Sequence, residues 1–145
     1  MTPIKIKKLN ENAIIPTYGT EFSAGADLYA LPGESIAIEP HKTVMIHTGL
    51  AMEIPEGYAG LIFARSGLAS KRGLAPANKV GVIDSDYRGE IRVVLLNHST
   101  QPQIVLPGER VAQLIITPVL TPAYEEVEEL TDTDRGIGGF GSTGK

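Results

Sequence analysis

The sequence predicts an all-β domain (a sandwich, jelly roll or barrel) with one short helix and a glycine-rich C-terminal arm. Three observations predict it. Short alternating or apolar runs recur between turn signals, at spacings of roughly 8–12 residues. Only one segment carries the start and stop signals of a helix. Five of the 16 glycines (Gly136, Gly138, Gly139, Gly141 and Gly144) fall within the last ten of the 145 residues.

The first strand is expected over 4–7, where Ile4-Lys5-Ile6-Lys7 alternates as a half-buried strand does. A strand-like stretch, Gly25-Ala26-Asp27-Leu28-Tyr29, follows small residues. Ser35-Ile36-Ala37-Ile38 alternates again, between Pro32-Gly33 and Glu39-Pro40. β-Branched or apolar runs at 43–46, 58–63, 80–83, 91–96 and 111–117 complete the set, bounded by Pro-Glu-Gly and Leu-Pro-Gly turns. The helix is expected over 66–73, two turns at most, with Ser66 as candidate cap, Lys71 and Arg72 in the last turn and Gly73 as the stop. The acidic residues 125–129 read as a solvated face before a linker. One β domain is expected over 1–130. The arm, 131–145, has almost nothing to bury and should be flexible alone.

Composition excludes several function classes. With no Cys there are no disulfides, thiolate nucleophiles or Cys-based zinc sites. Thirteen basic against 17 acidic residues give a net charge of −4, which argues against nucleic acid or an anionic membrane as partner. No run approaches the roughly 18 apolar residues of a membrane span, and no signal peptide opens the chain. The expected location is the cytoplasm. His41, His47 and His98 have no metal-ligand spacing. Gly139-Phe140-Gly141-Ser142-Thr143-Gly144-Lys145 matches part of a phosphate loop, but that motif needs a strand before it and a helix after it.

Four segments carry residues suited to chemistry. Gly81-Val82-Ile83-Asp84-Ser85-Asp86-Tyr87-Arg88-Gly89 puts two acids and a tyrosine between strands. It reads either as a plain hairpin turn or as a site in which Asp84, partly desolvated after an apolar strand, has a raised pKa and serves as a base. Asp27 reads as an edge-strand acid or as an outer-sphere partner of Mg²⁺, which needs few carboxylates beside substrate phosphates. In Phe63-Ala64-Arg65-Ser66-Gly67-Leu68 a strand ends and a helix begins, so Arg65 and free N–H groups can meet phosphate oxygens; the plainer reading is a capped helix with a surface arginine. Gln113 interrupts an apolar strand and is equally readable as a core network residue or a ligand contact. The arm adds Arg135, two hydroxyls, one aromatic ring and unhindered N–H groups, parts that suit an anionic ligand.

Ala24-Gly25-Ala26-Asp27-Leu28, Ala64-Arg65-Ser66-Gly67-Leu68, the 81–89 segment with Asn97, Gly108-Glu109-Arg110-Val111-Ala112-Gln113-Leu114, and residues 135–144 resemble the five motifs of the trimeric dUTPases, in that family's order and spacing. The resemblance implies a jelly-roll-like distorted barrel of the β-clip type and a homotrimer whose three active sites are each built from three chains. It implies hydrolysis of dUTP to dUMP and pyrophosphate, which supplies dUMP for thymidylate synthesis and keeps uracil out of DNA.

By that likeness Asp84 is the base that activates water for in-line attack on the α-phosphorus. Tyr87 stacks on the deoxyribose and leaves no room for a 2′-hydroxyl. Asn78, Gly81, Val82 and Ile83 read uracil. Asp27 holds Mg²⁺ through water. Arg65, Ser66, Gly67 and Gln113 bind phosphates from a neighbouring chain. Arg135, Gly141, Ser142 and Thr143 reach the γ-phosphate, and Phe140 covers the base. Ile137 has no assigned role. Two rival readings are a deaminase of dCTP with the same fold and a non-catalytic β-module that binds a partner. The deaminase uses a glutamate in the following strand, where this sequence has Val94, and the glycine arm favours hydrolysis. Asp84, Tyr87 and Arg65 together speak against the module.

Overall fold

The computed structural model describes residues 3–141. It contains twelve strands and one helix. They are β1 (Lys5–Lys8), β2 (Thr17–Tyr18), β3 (Ala26–Tyr29), β4 (Ile36–Ile38), β5 (Thr43–His47), β6 (Leu50–Glu53), β7 (Tyr58–Phe63), α1 (Ser66–Arg72), β8 (Leu74–Pro76), β9 (Gly81–Ile83), β10 (Arg92–Asn97), β11 (Gln103–Val105) and β12 (Arg110–Pro118). This is the all-β, jelly-roll-like arrangement expected.

A five-stranded antiparallel sheet, ordered β2-β3-β12-β7-β9, carries the residues of interest. A second sheet is ordered β5-β10-β8, and two ribbons pair β1 with β6 and β4 with β11. Inward residues of the two larger sheets share one buried cluster. Leu28, Ile62, Ile83, Val111 and Leu114 come from the first, and Ile46, Leu74, Val93 and Leu95 from the second. Leu28, Ile46 and Leu95 are wholly excluded from solvent. Burying each such side chain contributes roughly 1.5–3 kcal/mol, which fixes the strand registers.

Asn97 is equally buried. Its Nδ2 donates to the carbonyls of Ile38 (2.9 Å) and Gln101 (2.8 Å), and its Oδ1 accepts from Ser99. It belongs to the resembling segments, yet its bonds tie β10 to β4 and to the following loop. Its role here is structural.

The helix ends as its sequence requires. Gly73 adopts φ +64°, and a Cβ there would lie 3.1 Å from the Ser99 backbone nitrogen. Only glycine suits both conditions. The start differs from expectation. Arg65, with φ −87° and ψ 130°, holds the cap position without a side-chain cap bond, and Ser66 is the first helical residue. The extended chain that leaves β7 ends at Arg65, so the helical turn begins one residue earlier than a Ser66 cap would set it.

Candidate active site: two half-sites at opposite ends of one sheet

Asp27, Arg65, Ser66, Gly67 and Gln113 converge at one end of the five-stranded sheet. Register does this: Gln113 on β12 lies opposite Asp27 on β3 and Phe63 on β7. Arg65 follows β7 directly. Its Nε donates to Asp27 Oδ1 at 2.7 Å, and Arg110 Nη1 donates to Oδ2 at 3.1 Å. Two guanidinium groups thus share one mostly buried carboxylate, leaving this end with one surplus positive charge suited to an anion.

Gln113 Nε2 donates to the Ala64 carbonyl at 2.8 Å. The side chain fits because position 25 lacks a Cβ, which would lie 2.6 Å from Gln113 Oε1. Gln113 therefore braces the turn into α1, and as a half-buried amide it retains bonding capacity for a ligand. Ser66 and Gly67 are exposed in the first helical turn, where N–H groups lack partners within the helix.

Asn78, Gly81, Val82, Ile83, Asp84 and Tyr87 line a cavity of about 280 Å³, closed from behind by Ile62 and Ile91. Strand β9 is the edge of its sheet, pairing with β7 alone. Its outer N–H and C=O groups remain free to pair with a flat ligand. The Tyr87 hydroxyl donates to the Glu90 carbonyl at 3.0 Å. Gly89 makes space for the ring, since a Cβ at 89 would lie 2.4 Å from the hydroxyl and 2.5 Å from Cζ.

Asp84 is exposed on the lip of this cavity, whereas the sequence predicts partial desolvation. The difference arises because Asp84 lies one residue past an edge strand, with no element among the described residues covering that side.

The two clusters do not meet. Ile83 lies opposite Gly60 and Gln113 opposite Phe63, on either flank of β7. At roughly 3.3 Å per residue and 4.8 Å per strand, Asp84 and Gln113 are about 16 Å apart. Among the described residues, the arm meets neither cluster. Residues 119–137 are exposed, Arg135 Nε donates only to the Gly138 carbonyl (2.8 Å), Phe140 is fully exposed and Gly141 lies beyond it. Ser142 and Thr143 lie outside the described residues.

Sequence reading missed Arg110 and the pair His47–Glu90. His47 Nδ1 lies 2.8 Å from Glu90 Oε2, beside the Tyr87 loop. No local pattern signals contacts between residues 43 positions apart.

Among the described residues, no group of three or more His, Asp or Glu side chains converges on one point. Asp27 is a single carboxylate already engaged by two arginines, but each oxygen keeps acceptor capacity. This donor set fits a hydrated Mg²⁺ held mainly by substrate phosphates rather than one held by protein ligands alone. No helix among the described residues is long and apolar enough to cross a membrane.

The chain matches the dUTPase family model over residues 11–144. It is 53% identical to the deoxyuridine 5′-triphosphate nucleotidohydrolase of Nautilia profundicola, covering 98% of this chain and 99% of that protein. It is 45% identical to the protein of that name from Syntrophotalea carbinolica, covering 97% and 96%. The Staphylococcus bacteriophage 80alpha dUTPase, solved with dUPNHPP, superposes with a TM-score of 0.91 at 31% identity over the whole of both chains. A mutant dUTPase from phage phi11 of S. aureus, described with a structural Mg(II) ion, has a TM-score of 0.79 at 28% identity, covering 88% and 98%. Sequence and architecture agree over the same length, and the chain belongs to the dUTPase family.

Proposed function

We propose that this enzyme hydrolyses dUTP to dUMP and pyrophosphate, with Asp84 orienting and deprotonating the attacking water. The observation that carries the reading is Asp84 at the mouth of a nucleobase-sized cavity whose floor is an unpaired strand edge. The edge groups of β9 and the Asn78 amide pair with uracil. A thymine methyl is excluded there for lack of space. Tyr87 covers the deoxyribose and excludes a 2′-hydroxyl. These roles give dUMP for thymidylate synthesis and keep uracil out of DNA.

The gap of about 16 Å supports sites shared between copies of the chain. A water held by Asp84 and a phosphate held by Gln113 of the same chain are too far apart to react. In a homotrimer, the Asp84–Tyr87 half of one copy faces the Arg65–Gln113 half of the next, and the arm of a third closes over both. There Arg65, Ser66, Gly67 and Gln113 hold phosphates, while Arg135, Gly141, Ser142 and Thr143 reach the γ-phosphate and Phe140 covers the base. Facing copies also remove water from around Asp84, which strengthens it as a base.

Asp27 reaches a water of the Mg²⁺ that accompanies the triphosphate. When bound, that ion offsets the negative charge that grows on the leaving pyrophosphate. Arg65 and Arg135 supply the same kind of stabilisation from the protein. The arm excludes bulk water during turnover and releases afterwards.

The test is pyrophosphate release from dUTP, dCTP, dTTP and UTP, each with and without Mg²⁺. Release from dUTP, well above the other three and enhanced by Mg²⁺, is expected. Deamination of dCTP, or equal release from all four, overturns the reading.

A further inference from the structure

We propose that Glu90 is a positioning residue for sugar selectivity, clamping the Tyr87 loop to the turn between β5 and β6. The inference rests on the reading of Tyr87 as the cover of the deoxyribose. Three atoms of Glu90 take part. Its main-chain carbonyl accepts from the Tyr87 hydroxyl at 3.0 Å. Its Oε1 accepts from the Gly49 N–H at 2.9 Å, and its Oε2 from His47 Nδ1 at 2.8 Å. A carboxylate only accepts, so His47 carries its proton on Nδ1 in this contact.

The turn that receives Glu90 is rigid. Gly49 has φ +69°, and a Cβ there would lie 2.9 Å from Leu31 and 3.0 Å from Ala13. Thr48, fully buried, donates its hydroxyl to the Ile91 carbonyl at 2.6 Å, and the Ile91 N–H donates to Leu50 at 2.7 Å. The chain at 90 and 91 is therefore fastened to 47–50 by four hydrogen bonds. A further bond, Leu50 N–H to Thr48 Oγ1 at 3.3 Å, stiffens the turn itself.

The loop before Glu90 is braced from within. Tyr87 N–H bonds the Asp84 carbonyl at 3.2 Å, and Arg88 Nη1 donates to the Ser85 and Tyr87 carbonyls at 2.6 and 3.1 Å, while Tyr87 itself is 40% exposed. The hydroxyl bond to Glu90 is what sets the depth of the ring over the cavity. A hydrogen bond fixed at a rigid acceptor restricts the ring to one tilt. A free loop would let it swing outward and admit a 2′-hydroxyl.

The consequence is selective. Losing the clamp leaves Asp84, the β9 edge and the phosphate half-site in place. Uracil recognition survives, and the distinction between ribose and deoxyribose suffers. A residue needed only for folding would affect all substrates alike.

The experiment compares kcat and KM for dUTP and UTP in the wild type, Glu90→Ala, Glu90→Gln, His47→Ala and Tyr87→Phe. In Glu90→Ala the dUTP:UTP ratio of kcat/KM falls about tenfold, mainly through a lower KM for UTP and a higher KM for dUTP. Glu90→Gln keeps an acceptor for Gly49 and recovers most of the ratio. Tyr87→Phe, which removes the hydroxyl bond, lowers the ratio to a similar degree, and combining it with Glu90→Ala adds little, as expected for residues acting through one bond. His47→Ala folds without the Glu90 change and gives a smaller drop. A wild-type ratio in Glu90→Ala, or equal losses for both nucleotides across the set, overturns the inference. A wild type that does not prefer dUTP to UTP instead overturns the reading of Tyr87, and the selectivity assigned to Glu90 falls with it.

Discussion

Replacing Gly89 with alanine isolates the placement of the Tyr87 ring. A Cβ at 89 would lie 2.4 Å from the tyrosine hydroxyl, 2.5 Å from Cζ and 2.8 Å from Cε2. Ordinary contact begins near 3.4 Å, so the ring must move by about 1 Å. Its outward side is open, and the backbone at 89 lies outside the left-handed region, so alanine meets no conformational strain there. The protein should keep its stability to within about 1 kcal/mol. Catalysis should not be spared, because a misplacement of about 1 Å at a substrate-positioning group costs roughly 100-fold. That corresponds to about 2.7 kcal/mol of transition-state stabilisation. Steady-state kinetics with dUTP and UTP give kcat/KM, and urea unfolding gives stability. Unchanged kcat/KM for dUTP with unchanged stability would refute the steric reasoning. A loss of several kcal/mol in stability would show that Gly89 serves the fold instead.

Three further outcomes follow from the same geometry. Asp84→Asn should bind dUTP normally, by calorimetry, and lose about 100-fold or more in turnover, as removal of a general base does; wild-type-like turnover removes Asp84 as the base. A chain ending at Leu130 should stay folded and keep the full chain's oligomeric state by sedimentation, yet lose most activity, because 131–137 and Phe140 are exposed in the described structure; failure to fold makes the arm structural. Burial raises the Glu90 pKa, but the His47 and Gly49 hydrogen bonds and the charges of His47 and Arg92 hold it below the ordinary 4.5. The folded carboxyl binds protons less readily than the unfolded one, so this contribution to stability is complete above about pH 4.5 and is lost as pH falls through the lower folded value. The urea midpoints of the wild type and Glu90→Gln should differ at pH 7 and converge at acid pH; a gap independent of pH contradicts the assignment.

Much of the sheet was legible because its long strands carry their own pattern. Tyr58–Phe63 appears at its predicted limits, and the runs at 91–96 and 111–117 appear within one residue at each end. Besides the two-residue β2, which pairs with nearby β3, the strands not anticipated are those whose existence depends on a distant partner. Leu50–Glu53 is buried at three successive positions, which erases alternation, and it is a strand because β1 pairs with it. Leu74–Pro76 ends in proline, and Gln103–Val105 follows one; β10 and β4 supply their pairing. The site divides the same way. Asp27, Arg65 and Gln113 are visible as residue types, but their convergence is a matter of register. The double arginine clasp on Asp27 spans 38 and 83 residues. The apolar strand before Asp84 predicts partial desolvation. Neighbours in sequence do not reveal that β9 is an edge.

That edge has a second meaning. An unpaired strand is normally a liability, because any extended peptide can add to it and begin an aggregate. Here the exposed edge is only three residues long and turns away at Asp84. Three residues offer enough donors and acceptors for a small planar ring, but too few for an invading chain to hold its register. The shortness of β9 therefore acts as a size filter on hydrogen-bonding partners, protecting the protein from its own kind while leaving the edge open to a base.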